Sequence, residues 1–557
     1  MGKRVLIVGG VAGGASCAAR LRRLDESAEI VLFDRGPHVS FANCGLPYFV
    51  GNVIADERSL LVASRELFRD RFNIEVFTRH DVTAIDRARR TITVNDLDAA
   101  GGPRQREERY DALLLAPGAA PIRPPLPGID LPGIFAVRTI PDTRRIRSWI
   151  DERHPRRALV VGGGFIGLEM AENLAHRGLE VAILEKLPQV MPPLDAEMAA
   201  PVQAHLAGVG VRLHLGDGLA GFESEGASLV AYTESGARIA ADLVILSIGV
   251  RAETALAVAA GLALGERGGI AVDGHMRTVD PRIWAVGDAV EVRDVISGQE
   301  VIVPLAGPAN RQGRIAAESI SGRPRAFRGV QATAVVGVFG LTVATTGASE
   351  KGLRRNGVTD SACVYLHPGH HAGYYPGAKP IHLKLLFHVP DGRLLGAQAV
   401  GLEGVEKRID VIATMIQLGG TVRDLAEAEL CYAPQFGGAK DPVNLAGMIA
   451  VNHLDGLMPL ADWYALDAGK TLIDVREPDE FNAGHIPGAR NLPLSQLRDR
   501  FRELSSERAL TLYCGVGQRA YYATRFLTQH GYQAANLSGG YTTYKALLAG
   551  GVISAPS

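Results

Sequence analysis

Residues 157–185 read RALVVGGGFIGLEMAENLAHRGLEVAILE, a pattern that predicts a buried strand, a glycine turn, a helix and a second strand. Gly162, Gly164 and Gly167 fit G-x-G-x-x-G in that turn, where glycines let the backbone approach a pyrophosphate at a helix N-terminus. Glu185 ends the second strand, at the position where a carboxylate binds a ribose 2′-hydroxyl and repels a 2′-phosphate. The stretch therefore predicts a dinucleotide-binding unit that favours NADH.

Three further residues belong to this predicted NAD site, and a neighbouring lysine bears on the choice of cofactor. Lys186, directly after the acidic residue, leaves use of NADPH open. The remaining candidates lie at the start of the helix and at the end of a later strand, and they are Phe165, Ile166 and Gly249.

Residues 3–34, KRVLIVGGVAGGASCAARLRRLDESAEIVLFD, repeat the scheme nearer the N-terminus. Val11 replaces the middle glycine of the turn, so the motif by itself is imperfect. The strand, the helix, the terminal Asp34 and the second copy nevertheless favour another dinucleotide site. Two such sites in one polypeptide suggest an electron path from a nicotinamide to a flavin.

The fold class predicted from this repeat is α/β, with two nested dinucleotide-binding domains. Each unit is followed by a hydrophobic strand that runs into glycine, at 112–118 and at 243–249, so the second domain is expected inside the first. Later strands and helices indicate a smaller α+β domain and a last α/β domain. The expected boundaries are 1–115 and 250–328 for the first domain, 116–249 for the second, 329–452 for the α+β domain, 453–470 for a linker and 471–557 for the last domain.

Composition excludes several classes of protein. The 557 residues are too many for one core, and an apolar share of 47% with 21% charged residues is typical of a globular protein. A net charge of −1 gives no reason to expect nucleic acid or a membrane surface as a partner. Five cysteines form no disulfide framework and no apolar run reaches a membrane span, so we expect a cytoplasmic protein.

Cys44 lies in the loop SFANCGLPYFVG, residues 40–51, after the first dinucleotide unit. Pro47 suits the first turn of a helix, which would place the sulfur near a helix N-terminus whose dipole favours a thiolate. No second cysteine follows in the loop. The oxidised form must therefore be a sulfenate, a persulfide or a mixed disulfide with a small thiol.

A second candidate thiol, Cys514, ends a predicted strand and opens the loop CGVGQR, residues 514–519. A glycine-rich loop between strand and helix can direct several backbone N–H groups at one sulfur, and Arg519 adds positive charge. We expect this loop to favour an anionic persulfide.

The two-domain layout resembles the pyridine nucleotide-disulfide oxidoreductase family over roughly residues 1–450. The resemblance implies that the first unit holds FAD and that Asp288, in the pair Gly287-Asp288, binds the ribityl chain. The FAD candidates are Gly9, Val11, Ala12, Gly13, Gly14, Asp34, Arg35, Gly118, Gly287 and Asp288.

Within that family, the Cys44 stretch resembles the active site of coenzyme A disulfide reductases, whose single cysteine forms a mixed disulfide with coenzyme A. The resemblance implies coenzyme A as substrate or bound ligand. The substrate-binding candidates that it gives are Arg20, Arg23, Ser40, Asn43, Asn310 and Lys440.

The same resemblance implies a homodimer, because Tyr374, Tyr432 and Lys440 match positions by which the partner subunit completes the site. The tyrosines would orient or protonate the sulfur leaving group, and the lysine would meet phosphates. Tyr375 lies beside Tyr374, so the choice between these two stays open.

The C-terminal segment resembles a rhodanese domain in residues 474–476, in residues 484–489 and in the loop from Cys514 to Arg519. Cysteine phosphatases use a loop one residue longer, and position 520 is Ala520, so a sulfur atom fits better than a phosphate. An inactive rhodanese used only for docking is the alternative.

These observations predict an NADH-dependent flavoprotein that reduces coenzyme A persulfide, polysulfide or coenzyme A disulfide, with Cys514 delivering sulfane sulfur. Expected partners are small thiols, persulfides and polysulfides. Competing hypotheses are an NADH oxidase or peroxidase that uses a cysteine sulfenate, and a redox-sensing protein that docks sulfur. No metal site is expected: the histidines of residues 367–371 have no fourth ligand at a recognisable spacing.

Overall fold

The computed structural model of the protein describes residues 2–99, 102, 104–226, 228–466 and 471–554. Residues 467–470 of the predicted linker and residues 555–557 of the last predicted domain lie outside the described residues. The chain divides into two compact units, which are Met1–Lys186 with Asp217–Ala332 and Leu187–Gly216 with Thr333–Ser557.

The strands in the described part of the chain are β1 (Arg4–Val8), β2 (Glu29–Asp34), β3 (Glu75–Thr78), β4 (His80–Asp86), β5 (Thr91–Asp96), β6 (Arg104–Arg109), β7 (Ala112–Leu115), β8 (Ala119–Pro121), β9 (Ile134–Phe135), β10 (Arg157–Val161), β11 (Glu180–Glu185), β12 (Arg212–Leu215), β13 (Leu219–Glu225), β14 (Ser228–Thr233), β15 (Arg238–Ala241), β16 (Leu243–Leu246), β17 (Val250–Ala252), β18 (Ile270–Ala271), β19 (Ile283–Ala285), β20 (Val290–Arg293), β21 (Glu300–Val301), β22 (Ala334–Val338), β23 (Leu341–Gly347), β24 (Ser361–Leu366), β25 (Ile381–His388), β26 (Leu394–Gly401), β27 (Thr471–Asp474), β28 (Arg490–Asn491), β29 (Leu510–Tyr513) and β30 (Ala534–Asn536).

The helices are α1 (Ala12–Leu24), α2 (Leu46–Val50), α3 (Arg65–Phe72), α4 (Ile140–Arg153), α5 (Phe165–His176), α6 (Ala196–Gly208), α7 (Ala255–Ala259), α8 (Ala306–Ile320), α9 (Glu350–Arg355), α10 (Val405–Gln417), α11 (Val422–Glu427), α12 (Pro442–Leu454), α13 (Pro478–Asn482), α14 (Leu494–Arg500), α15 (Gln518–Gln529) and α16 (Gly540–Ala549). Among the described residues, none of these helices combines the length and the apolar character needed to cross a lipid bilayer.

The first unit contains two parallel sheets, each built on one copy of the glycine-turn motif. In the first sheet the strand order is β19-β7-β1-β2-β3, and the centre of β1 is fully buried. Helices α1 and α8 pack against each other beside it. Burial on both faces explains why these strands are continuous apolar runs rather than alternating ones.

The second parallel sheet places β11, β10, β16 and β9 side by side in that order. Strands β8 and β17 pair antiparallel, with Ala119 opposite Ala252, at the two points where the sequence predicts that the chain passes between the nested domains. Two small antiparallel sheets, β4-β5-β6 and β13-β14-β15, accompany the parallel ones.

The second unit holds an antiparallel sheet in the order β22-β23-β26-β25-β24, with helix α10 packed on it, and a parallel sheet in the order β28-β27-β29-β30. The first of these belongs to the α+β part and the second to the C-terminal α/β part. The predicted fold class is confirmed, because nested dinucleotide-binding domains, an α+β domain and a C-terminal α/β domain are all present.

A buried ammonium group holds several segments of the second unit together. Lys384 of β25 has no exposed surface, and its Nζ lies 2.9 Å from Asp195 Oδ2, 2.5 Å from Glu197 Oε1 and 2.6 Å from Glu350 Oε2. Asp195 and Glu197 come from the segment 187–216 of the second unit, and Glu350 begins α9. One cation therefore fixes two distant segments on the sheet, and it occupies the space between three carboxylates that otherwise have the arrangement of metal ligands.

Tyr365 joins this cluster to the C-terminal domain. Its hydroxyl donates to Glu197 Oε1 at 2.9 Å, while its backbone N–H donates to Ser538 Oγ at 2.8 Å. Its ring belongs to the apolar cluster that contains Trp463, Tyr513 and Leu537 of the C-terminal domain. The α+β sheet therefore contributes a side chain to the core of the last domain.

We expect Lys384→Met to destabilise the protein by roughly 3–5 kcal/mol, because it leaves three buried carboxylates without their cation. Chemical denaturation of the full-length protein, followed by tryptophan fluorescence, measures the change in the free energy of unfolding. Arg423→Met is the matched control, since it removes a cation from an exposed ion pair with Asp455 in the same unit. Equal stability of the two variants would contradict a stabilising role of the buried cluster.

Candidate active site

Cys44 lies on an exposed turn that is anchored on one side by a small apolar core. The turn is a single 3-10 segment, Asn43–Gly45, and α2 follows it at once with Pro47 in its first turn. Leu46 and Phe49 of α2 are buried against Leu60 and Ile140. The sulfur is therefore accessible while its backbone is fixed, which suits a nucleophile.

The electrostatic surroundings of Cys44 differ from the expectation based on the helix dipole. Burial raises the pKa of the Cys44 thiol, and the carboxylates of Glu169 and Asp288 raise it further. Helix α2 has only five residues, so its dipole does not outweigh partial desolvation and two nearby negative charges. These groups disfavour the thiolate, which is the direction opposite to the one expected from the helix dipole.

Glu169 and Tyr48 form a pair beside this thiol that the sequence analysis missed. The Tyr48 hydroxyl donates to Glu169 Oε1 at 3.1 Å. Burial raises the pKa of Glu169, and burial together with Glu169 raises the pKa of Tyr48 to about 12. Glu169 comes from α5 of the nested second domain, so only the packing of α2 on α5 brings it to the cysteine loop.

The first glycine turn has the geometry required for a bound dinucleotide. A Cβ on Gly14 would lie 1.9 Å from the backbone oxygen of Gly9, so the turn closes only without side chains. Asp34 accepts from the backbone N–H groups of Gly10 and Gly36, at 2.8 and 2.7 Å. These bonds fix the carboxylate at the carboxyl end of β2, where a ribose would lie.

The other FAD candidates surround this turn. Gly118, directly before β8, and Gly287, shortly after β19, both have a positive φ, and Arg138 lies within reach of Gly118. The carboxyl group of Asp288 is half-buried, and among the described residues no hydrogen bond engages it. Burial raises its pKa. A desolvated carboxylate without a hydrogen bond in the described part of the chain fits a hydroxyl donor of a ribityl chain, so these residues fit FAD.

Four candidates of the first site differ in their exposure and contacts. Val11 precedes α1 and Ala12 begins it, and Gly13 is buried in its first turn. Arg35 is exposed and forms an ion pair with Glu253.

The second glycine turn repeats the geometry of the first. A Cβ on Gly167 would lie 1.9 Å from the backbone oxygen of Gly162. Glu185 is buried at the end of β11, and its Oε2 accepts from the backbone N–H of Gly163 at 2.7 Å. Phe165 begins α5, Ile166 is partly exposed on it, and Gly249 follows β16 in a left-handed conformation.

Gly164 is different, since nothing in the protein requires glycine there. Its backbone φ of −83° and ψ of −170° suit any residue, and a Cβ would meet no atom within 4 Å. The free space above this residue is where the motif places a pyrophosphate. The packing and backbone of the chain therefore give no reason for a glycine at position 164.

Lys186, which left NADPH open, is already paired. Its Nζ lies 2.8 Å from Glu234 Oε1, and both side chains are exposed. A 2′-phosphate would have to compete with Glu234 for this ammonium and would also meet Glu185.

The substrate-binding candidates of the first unit lie on α1, on α8 and in the cysteine loop. Arg20 forms an ion pair with the buried Glu318 at 2.7 Å, and Arg23 is exposed. Asn310 accepts from the Ser16 hydroxyl and donates to the carbonyl of Ala306.

Ser40 and Asn43 are both in the cysteine loop. Ser40 adopts the left-handed conformation with φ of 45°, and its backbone N–H donates to Gly10 O at 2.7 Å. Because Gly10 belongs to the first glycine turn, this bond ties the cysteine loop to the predicted flavin site. Asn43 begins the 3-10 segment that carries the thiol.

The remaining site candidates lie on exposed loops of the second unit. The hydroxyls of Tyr374 and Tyr432 lie 2.7 Å apart, whereas Tyr375 packs edge-on against His371. Lys440 is exposed directly before α12. The structure therefore brings Tyr374 and Tyr432 together as one hydroxyl pair and gives Tyr375 a packing contact.

Cys514 lies at the end of β29 and is almost fully buried, with 1% of its surface exposed. The backbone N–H of Gly517 points at its sulfur, at 3.2 Å. Arg519, in the first turn of α15, forms a bidentate ion pair with Glu480, at 2.6 and 2.7 Å. The sequence analysis did not find Glu480, because its position relative to the loop depends on how α13 packs.

The other cysteines are Cys17, which is buried in α1, Cys363, which lies in β24, and Cys431, which is exposed beside Tyr432. All five thiols are free. His370 and His371 are buried and bonded to backbone carbonyls, and His367 bonds to His382.

Three family models match the chain in succession. Pyridine nucleotide-disulphide oxidoreductase matches residues 3–313, the dimerisation domain of that family matches 333–441, and the rhodanese-like domain matches 461–547.

Two curated relatives and two solved structures illustrate the similarity. Coenzyme A disulfide reductase of Staphylococcus epidermidis is 36% identical over 80% of this chain and 99% of its own. NADH oxidase of Methanocaldococcus jannaschii is 35% identical over 81% and 99%. Reduced CoADR-RHD of Bacillus anthracis has a TM-score of 0.96 at 46% identity, with 98% of each chain covered. An NAD-dependent persulfide reductase from A. fulgidus has a TM-score of 0.89 at 35% identity, with 97% and 100% covered.

We expect Gly164→Ala to raise the KM for NADH on the order of tenfold or more, because the added methyl occupies the space left for the pyrophosphate. Steady-state kinetics measures the KM, and thermal unfolding should show no loss of stability. Gly208→Ala, at the end of α6, is the control, since its Cβ also meets no atom within 4 Å. A change in unfolding without a change in KM would contradict a ligand at Gly164.

We expect Glu169→Gln to lower the pKa of Cys44, because it removes a negative charge that disfavours the thiolate. Alkylation proceeds through the thiolate, so its rate should rise at lower pH in the variant than in the wild type. Peptide mass spectrometry after timed iodoacetamide treatment measures this profile. Glu172→Gln changes another carboxylate on the same helix, which acts on Glu169 and Tyr48 and is not among the groups named as shifting Cys44, and an equal shift in that variant would argue against the assignment to Glu169.

Proposed function

This chain belongs to the pyridine nucleotide-disulphide oxidoreductase family, and we propose that it is an NADH-dependent flavoprotein that reduces coenzyme A persulfide, polysulfide and coenzyme A disulfide. The observation that carries this proposal is Cys44, an exposed free thiol on a fixed loop that has no second cysteine. Such a thiol has to complete its redox cycle with a sulfur from a small molecule.

In the proposed reaction the Cys44 thiolate attacks the sulfur that is bonded to coenzyme A. With a persulfide this breaks the sulfur–sulfur bond and releases hydrosulfide, and with coenzyme A disulfide it releases coenzyme A thiolate. Either route leaves a mixed disulfide between Cys44 and coenzyme A. FAD, when bound, supplies two electrons from NADH to that disulfide, which restores the Cys44 thiolate and frees coenzyme A.

Residues of the chain have distinct proposed roles in this cycle. The FAD would be held by the first glycine turn, by Asp34 and by Asp288, and the NADH by the second turn and Glu185. The preference for NADH rests on two features: the carboxylate at the ribose position and the pairing of Lys186 with Glu234. Glu169 and Tyr48 would move or hold a proton near the sulfur, since both lie beside it and Glu169 is desolvated.

Coenzyme A would be bound by charged and polar groups around the cysteine loop. Arg20 and Arg23 would meet its phosphates, and Ser40, Asn43 and Asn310 would bind the chain near the sulfur. The neighbouring Arg314 and Arg325 also approach Glu318, so several arginines share one carboxylate and the patch keeps a positive charge. A patch of that kind favours a polyanionic ligand.

We further propose that the active unit is a homodimer, which the match to the dimerisation-domain model supports. Tyr374 and Tyr432 would act as a single hydroxyl pair on the leaving sulfur, because their oxygens share a hydrogen bond. Lys440 would add a phosphate contact. Arg408 connects the loop that carries Tyr374 to the loop that carries Lys440. Its Nη2 donates to the carbonyl of His370 and to Asp441, next to Lys440.

The C-terminal domain would accept sulfane sulfur on Cys514 and deliver it toward the reductase site. A fused sulfur carrier favours persulfide over plain disulfide as the main substrate, because disulfide reduction needs no carrier. The similarity to an NADH oxidase supports a second candidate function, an NADH oxidase or peroxidase in which Cys44 cycles through a sulfenate. Faster NADH consumption with peroxide than with coenzyme A persulfide would favour that candidate.

We expect Cys44→Ser to abolish reduction of coenzyme A persulfide and disulfide, while NADH still bleaches the flavin in rapid mixing. Cys514→Ser should retain both reductions and lose only sulfur uptake from a donor. Steady-state NADH oxidation and mass spectrometry of Cys514 after incubation with thiosulfate measure these effects. Equal losses in both variants would contradict the division of labour between the two thiols.

A further inference from the structure

The arginine of the C-terminal thiol loop is neutralised by a carboxylate from another segment. Arg519 carries the positive charge of the loop at residues 514–519, and both of its terminal nitrogens engage Glu480. The side chains of Arg519 and Glu480 are 34% and 42% exposed. Bidentate geometry makes such a pair stronger and better oriented than an ordinary surface ion pair.

Glu480 is held in place by its own segment. Its Oε2 accepts from the backbone N–H of Glu477 at 3.2 Å, in the capping box at the start of α13. The segment is fixed in turn by Arg476, which is buried, pairs with Asp474 at 2.6 Å and donates to the carbonyl of Gly484 at 2.7 Å. The carboxylate therefore has a defined position beside the thiol loop.

The same guanidinium also lies along the thiol loop. A Cβ on Gly515 would lie 3.7 Å from Arg519 Nη2, so the guanidinium extends along the loop toward its thiol end. The pKa of Arg519 is raised chiefly by Glu480, with a smaller contribution from Cys514. Any anion that reaches Cys514 therefore meets a cation that a carboxylate has already neutralised.

We propose that Glu480 is a positioning residue that sets donor specificity at Cys514: the neutral pair with Arg519 favours persulfides, whose reacting end carries one negative charge, over dianionic thiosulfate. The inference rests on the proposed function of Cys514 as a sulfur acceptor. In the transfer, the Cys514 thiolate attacks the terminal sulfur of a persulfide, a new sulfur–sulfur bond forms, and the donor leaves as a thiolate. With thiosulfate the leaving group is sulfite, and neither transfer needs an oxidant or a reductant.

The test compares Glu480→Gln with wild type in the full-length FAD-loaded protein. Sulfur transfer to cyanide is followed as thiocyanate, with thiosulfate and with hydroxyethyl persulfide as alternative donors. We expect the ratio of kcat/KM for thiosulfate to that for persulfide to rise on the order of tenfold, mostly through KM for thiosulfate, because an anion-repelling charge is removed.

Two further variants make the result specific. Glu480→Asp keeps the charge, so it should keep the wild-type donor ratio even if both rates fall. Glu503→Gln removes a carboxylate from an exposed ion pair with Arg490 and Arg500 in the same domain, and its ratio should stay within about twofold of wild type.

The possible outcomes separate this inference from the proposed function. An unchanged donor ratio in Glu480→Gln, or a parallel fall with both donors, would overturn the role of Glu480. If wild-type Cys514 gains no sulfur atom from either donor by mass spectrometry, the proposed sulfur-accepting role of the domain itself is wrong. A raised ratio in Glu480→Gln together with an unchanged one in Glu480→Asp supports the inference.

Discussion

The ammonium of Lys384 is the contact on which the arrangement of the second unit depends. It compensates carboxylates from the segment 187–216 and from α9. One of these, Glu197, also accepts a hydrogen bond from the hydroxyl of Tyr365. Tyr365 is also part of the C-terminal core. The charged cluster around Lys384 therefore holds a residue that attaches the C-terminal domain to the α+β domain. A buried cation without its carboxylates, or the reverse, is so costly that these segments form together.

The two candidate thiols, Cys44 and Cys514, differ in their exposure and in the groups around them. Cys44 is exposed, and partial burial together with the carboxylates of Glu169 and Asp288 raises the pKa of its thiol. Cys514 is buried, and the backbone N–H of Gly517 donates to its sulfur at 3.2 Å.

The sequence predicted the parts of the site that depend on local patterns. Glycine turns, the terminal acidic residues of each unit and the lone cysteine are recognisable because motif and function share a few adjacent residues. Glu169, Tyr365 and Glu480 were not recognisable, since each acts on a residue that is distant in sequence. The direction of the Cys44 pKa shift was also missed, because desolvation depends on what packs around the loop and not on the helix that follows it.

Three of the cations that the sequence marks as anion-binding groups are paired within the protein, in the combinations Arg20 with Glu318, Lys186 with Glu234 and Arg519 with Glu480. An isolated cation at such a site would bind any small anion of the cell. A paired one binds only a ligand whose charge and shape repay the displacement or sharing of the carboxylate. Under the proposed function, specificity at these three positions would come from internal competition as well as from direct contact, and the competing carboxylates lie far along the chain from the motifs.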